Sequence, residues 1–185
     1  MKKKIVMLLA IALGSVTAAN AQVRVSEPEF EQQVLLLTSD STGVLLDKEK
    51  STMKTSTSKW GMIPIPGASL LDKAKTFMRI EGKEAKVITK DKHVRLIVRA
   101  EKNSTDPTEM FGIVKFDVKK KNREYLFAEG GLLSGTQINF GKVSEKFKAS
   151  KYGTSSYLIE LDDLQPGQYG LSSNSVFSAA TFAVQ

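Results

Sequence analysis

Residues 156–172 read S-Y-L-I-E-L-D-D-L-Q-P-G-Q-Y-G-L-S, and no other stretch constrains the fold as much. Tyr157, Ile159 and Leu161 share one face of an extended segment, the period of a half-buried strand. Asp162-Asp163 and Pro166-Gly167 are turn chemistry, and Tyr169 with Leu171 then opens a second apolar face. A buried tyrosine needs a partner for its hydroxyl, so Tyr169 must find a backbone acceptor close to the turn. Pro166, Gly167 and Tyr169 are therefore read as architectural.

The rest of the chain repeats this pattern at intervals of roughly ten residues. Residues 30–37 and 44–46 flank a turn-rich T-S-D-S-T-G cluster and read as a hairpin. Residues 48–59 are polar and read as an exposed strand. In 93–100, Val94, Leu96, Val98 and Ala100 face one way while His93, Arg95, Ile97 and Arg99 face the other. Residues 111–119 and 123–128 alternate on either side of Lys120-Lys121-Asn122 and should pair. Residues 129–134, with Gly130-Gly131, read as a loop. Near the end, Ala180, Phe182 and Val184 form a last apolar face. Residues 69–75 (S-L-L-D-K-A-K) suggest one short helix with Ser69 as its cap. No βαβ alternation is present. The expected fold is all-β, an immunoglobulin-like β-sandwich with at most that one helix, spanning 30–185 as a single domain.

The segment L-Q-P-G-Q-Y-G-L (164–171) resembles the L-x-P-G-x-Y turn of fibronectin type III-like and related immunoglobulin-like sandwiches. In those domains the tyrosine hydroxyl returns to backbone a few residues upstream, the tyrosine corner. The A-N-A-Q signal end, the R-L-I-V-R-A strand (95–100) and the closing corner together resemble small exported all-β proteins of Bacteroidetes-type bacteria. That resemblance implies no activity.

The first residues fix the expected address. Lys2-Lys3-Lys4, an apolar run to Leu13 and Ala19-Asn20-Ala21 form a secretory signal peptide over 1–21. Gln22 becomes the new N-terminus, and 22–29 form a polar lead-in arm. The formal charge is +7, but losing three lysines leaves 24 basic residues against 20 acids, or +4. That is an ordinary exported surface and argues against nucleic acid as a partner. Export to the periplasm or cell surface permits disulfides, yet the chain has no cysteine. No later apolar run approaches the ~20 residues of a membrane helix.

A single histidine and no cysteine leave no histidine or thiolate metal site, and no cofactor motif is present. His93 reads as a solvated strand residue beside Arg95. Ser134 lies in G-L-L-S-G, outside the G-x-S-x-G elbow, so no catalytic residue is assigned. Two binding candidates remain. Trp60, Met62, Ile63 and Ile65 sit in an apolar loop that two prolines keep out of any central strand. Lys119, Lys120, Lys121 and Arg123 form a basic strip at a hairpin tip, suited to anionic polysaccharide or headgroups. The expected function is a non-enzymatic exported module that binds an envelope glycan or protein. The alternatives are a carboxylate-based polysaccharide hydrolase and an assembly subunit that works by strand addition.

Overall fold

Period-two patterning gives the central segments one apolar face each, and those faces close over one another in two sheets. The computed structural model describes residues 23–56, 73–131, 135–138, 144–173 and 178–185. The expected leader and the loop bearing Trp60, Met62, Ile63 and Ile65 lie outside the described residues. The strands are β1 (Val34–Leu37), β2 (Gly43–Leu45), β3 (Lys48–Ser56), β4 (Lys73–Glu81), β5 (Ile88–Thr89) and β6 (Val94–Arg99). After the short helix α1 (Pro107–Met110) come β7 (Gly112–Val118), β8 (Asn122–Gly131), β9 (Gly135–Ile138), β10 (Lys148–Tyr152), β11 (Ser156–Leu161), β12 (Gly167–Ser172) and β13 (Ser178–Val184).

One sheet is open and runs β10-β11-β6-β1-β2. The other runs β12-β7-β8-β4-β3-β13, and β13 pairs back onto β12 with Tyr169 opposite Phe182. That pairing closes a six-stranded barrel, with β5 attached to β13 and β9 to β8. An immunoglobulin-like β-sandwich was expected from the sequence; the fold is all-β with two sheets, one of them closed into a barrel. Closure removes the edges that a second sandwich sheet would otherwise expose.

The two layers share a wall. Ile113 of β7, Tyr169 and Leu171 of β12, and Ala180, Phe182 and Val184 of β13 pack against the open sheet's Val34, Leu36, Leu96, Val98, Tyr157 and Ile159. Alternate residues of those wall strands point the other way. Val114, Phe116 and Ala179 fill the barrel with Met78, Ile80 and Tyr125. This is why β13 is apolar or small along almost its whole length, as a strand buried on both faces must be. Gly170 sits where a Cβ would lie 2.6 Å from the Phe116 ring and 3.2 Å from Ala179, so the barrel can close only around a missing side chain.

The corner forms as the turn chemistry predicts. Tyr169 donates its hydroxyl to the Gln165 carbonyl at 2.5 Å, and its ring stacks on Phe182 at 5.5 Å. Gly167 opens β12 without an unusual backbone; its role is space, because a Cβ there would meet Lys115 Cε at 2.5 Å. Lys115 Nζ lies 5.5 Å from the centre of the Tyr169 ring. The left-handed residue in the turn is Asp163, with φ 57°.

Two local expectations are corrected. Of the helix expected over 69–75, residues 73–75 belong to β4, paired with Gly131, Gly130 and Glu129, and 69–72 lie outside the described residues. Pairing with β8, and at Lys75 with β3 as well, outweighs the helical propensity of a Lys-Ala-Lys triplet, which three residues cannot express alone. The same pairing makes Glu129, Gly130 and Gly131 the end of β8 rather than a loop. The helix among the described residues is α1, capped by Asp106, whose carboxylate accepts from Thr108 N–H at 2.8 Å.

The lead-in arm is anchored. Arg24 N–H donates to the Asp40 carbonyl at 2.7 Å, and the Tyr152 hydroxyl donates to the Val25 carbonyl. The Glu27 carboxylate accepts from Ser155 N–H (3.0 Å), Thr154 N–H (3.1 Å) and the Thr154 hydroxyl (2.9 Å). Ile97 of β6, paired with Leu35 and Leu158, alternates away from the shared core and is nevertheless fully buried.

Candidate functional site

Buried charge is costly unless paired, and proteins bury it at few places, often functional ones. Here that place is one end of the barrel. Arg123 follows the inward alternation of Tyr125 and Phe127 and has no exposed surface. Its Nη2 donates to Glu49 Oε2 at 2.5 Å and to the Glu81 carbonyl at 3.4 Å; its Nε reaches the Gly82 carbonyl at 3.3 Å. Glu49 also accepts from the Thr181 hydroxyl. Register explains the meeting: β3 pairs with β13 so that Glu49 lies opposite Ala179, an inward position, one place along from Thr181. Arg123 Nη1 is buried without a hydrogen-bond partner among the described residues, an unsatisfied donor that calls for an explanation.

Glu49 is partly exposed on its other side, where Asp47, Lys48, Glu49, Glu84 and Lys86 line a cleft of about 420 Å³. Lys86 Nζ lies 2.6 Å from Asp47 Oδ2. That hydrogen bond and the charge of Asp47 hold the Lys86 ammonium above its usual range. The cleft thus offers acceptors and donors side by side, on a floor fixed by the Arg123–Glu49 pair.

The lysines expected at the hairpin tip flank the same end. Lys119 N–H donates to the Asn122 carbonyl at 2.8 Å and closes the β7–β8 turn. Gly82 N–H donates to the Lys121 carbonyl at 3.0 Å, which ties that turn to the one after β4. Lys83, Lys119, Lys120 and Lys121 are all exposed. Lys119 is partly neutralised by Asp117 (3.7 Å) and Glu124 (3.9 Å). Arg123 does not belong to this strip: it points into the barrel, because its place in the alternation is that of Tyr125 rather than of Glu124.

His93 lies on the surface, its Nδ1 2.6 Å from Asp162 Oδ1, while Lys148 Nζ approaches Asp162 Oδ2 at 2.8 Å. Lys148 first, and His93 second, hold the Asp162 carboxyl below its usual range. No group of three or more metal-capable side chains converges among the described residues.

Sequence reasoning missed Asp47, Glu49, Glu84 and Lys86. The alternation Arg123, Tyr125, Phe127 was a usable sign that the arginine turns inward. Nothing in K-E-K-S-T-M-K-T-S marks Glu49 as its partner, since that register depends on barrel closure. Compared with known proteins, the chain matches no family model, no curated protein and no solved structure.

Proposed function

We propose that the chain is an exported, non-catalytic binding module, immunoglobulin-like in its sandwich half, that takes an envelope glycan with anionic substituents at the end of the barrel. What supports this is the pairing of four exposed lysines, on two turns tied by the Gly82–Lys121 hydrogen bond, with a polar cleft floored by a buried ion pair. Sugar hydroxyls both donate and accept, and the carboxylates of Asp47, Glu49 and Glu84 beside the ammonium groups of Lys48 and Lys86 match that dual demand. The lysines add a longer-range attraction for acidic groups on the same polymer.

Glycan-array screening followed by titration calorimetry tests the reading. Acidic oligosaccharides should bind more tightly than neutral ones and weaken as salt rises. Lys120→Ala with Lys121→Ala should lower affinity about three- to tenfold, and Lys86→Ala should lower it for neutral sugars too. Binding that ignores all three substitutions would reject the barrel end as the site.

Three carboxylates on one cleft, Asp47, Glu49 and Glu84, favour a second reading as a polysaccharide hydrolase. Release of reducing ends by the purified protein, abolished by Glu84→Gln, would move the assignment there. A third reading, assembly by strand addition, is favoured by the open edge strand β2, where Val44 is 42% and Leu45 49% exposed. Strict monomer behaviour at high concentration, with no partner cross-linked through β2, would remove it.

A further inference from the structure

A second cavity, of about 400 Å³, opens where the sandwich ends, between the turn before β1 and the close of β6. It shares no lining residue with the barrel-end cleft. Its floor is apolar: Phe111 is buried, and Met110 packs beside it against the sandwich core. Its rim carries Glu31, Glu101 and Arg99. Arg99 is already matched, its Nη1 lying 3.3 Å from Glu27 Oε2 on the anchored arm. Glu31 and Glu101 have no ion-pair partner among the described residues. A chain with a net positive charge therefore sets two uncompensated carboxylates above an apolar floor. Behind Phe111 a void of about 10 Å³ continues toward the core, a space of roughly one small group.

We propose that this cavity binds a primary ammonium group on an aliphatic stem, as presented by a free diamine or by a lysine side chain. The ammonium has three donors and no acceptor, which suits the carboxylates of Glu31 and Glu101; the Lys48 ammonium behind the floor is held by Gln32 Oε1 at 2.5 Å. The methylene stem buries against Met110 and Phe111, as lysine stems commonly do over apolar surface. Arg99, held by Glu27, does not oppose the ligand with a free positive charge. A carboxylate-headed amphiphile of the same shape is disfavoured by Glu31 and Glu101.

The test is an NMR titration of the purified protein, labelled at backbone amides and methionine methyls. The probes are cadaverine, Nα-acetyl-lysine N-methylamide and 1,5-pentanediol. Either amine should shift the Met110 methyl and the Glu31 and Glu101 amides, while the neutral diol leaves them in place. A response to cadaverine alone identifies a free diamine, and one to the lysine amide identifies a protein-borne side chain. Glu31→Gln with Glu101→Gln should weaken binding about tenfold, since both substitutions remove exposed charge pairs. Met110→Ala, with every charge retained, should weaken it as well. No shift from either amine at ~10 mM, far above a useful affinity, overturns the proposal. So does an equal response to the diol, or unchanged affinity in the glutamine double variant.

Discussion

The attachment of the N-terminal arm can be measured through Glu27. Burial alone would raise its carboxyl, but hydrogen bonds from Ser155 N–H, Thr154 N–H and the Thr154 hydroxyl hold the charged form and draw it from the ordinary 4.5 to about 2. The folded-state value lies below the unfolded one. Ionised Glu27 therefore stabilises the fold fully above pH 4.5, and that stabilisation is lost as the pH falls toward 2. The gap between those two values, at 1.36 kcal/mol per pH unit, sets a ceiling of about 3.4 kcal/mol. The Glu27 side chain is 18% exposed, so solvent screening reduces the realised contribution to about 1–2 kcal/mol. Glu27→Gln keeps the shape and removes the charge. Urea unfolding of both proteins between pH 2 and 7 should show the variant less stable by ~1–2 kcal/mol at pH 7, with the difference closing by about pH 2. Amide exchange at Thr154 and Ser155 should quicken in the variant over the same window. Equal urea midpoints and equal exchange at pH 7 would refute the reasoning, as would a difference that persists at pH 2.

Three further substitutions probe the two cores and the ion pair at the barrel end. Gly170→Ala forces a methyl into the Phe116 ring and should cost ~1–3 kcal/mol by thermal unfolding. Adding Phe116→Leu should return part of that loss, because it frees the space the methyl needs. Tyr169→Phe leaves the Gln165 carbonyl without its donor and should cost ~1–2 kcal/mol. The same residue, its hydroxyl pushed up to about 12 chiefly by burial, should be among the last tyrosines to ionise in an ultraviolet pH titration, and its signal should vanish in the phenylalanine variant. Arg123→Met strands Glu49 at the barrel end and should cost ~3–5 kcal/mol. Combining it with Glu49→Leu should cost less than Arg123→Met alone, and a strictly additive cycle would show that the two residues are not coupled.

The strands were legible wherever one face is buried, because period two then survives in the sequence. Val94, Leu96 and Val98 show this, as do Tyr157, Ile159 and Leu161. The corner was legible for a different reason: Leu164, Pro166, Gly167 and Tyr169 encode it locally, and its hydrogen bond spans only four residues. Barrel closure was not legible. It depends on β13 reaching back to both β3 and β12, and Ala179, Thr181 and Ala183 are too small and mixed to mark a second buried face. Residues 73–75 failed for a related reason, since their strand is imposed chiefly by β8 rather than by their own preference. The candidate site was half visible. The hairpin lysines stood out as a charge run, whereas the Arg123–Glu49 pair joins residues 74 positions apart, and only the folded barrel brings them together.

The wall formed by β7, β12 and β13 has a thermodynamic consequence. Each of these strands belongs to two interiors at once, so neither interior can lose its packing while the other keeps a complete boundary. Opening the sandwich strips Ile113, Tyr169 and Phe182 of cover and releases the strands that hold Val114, Gly170 and Ala179 in the barrel. Sandwich and barrel should therefore unfold together as one cooperative unit. Any molecule that bound the folded barrel alone would thereby also steady the open sheet, by disfavouring the one unfolded state the two share.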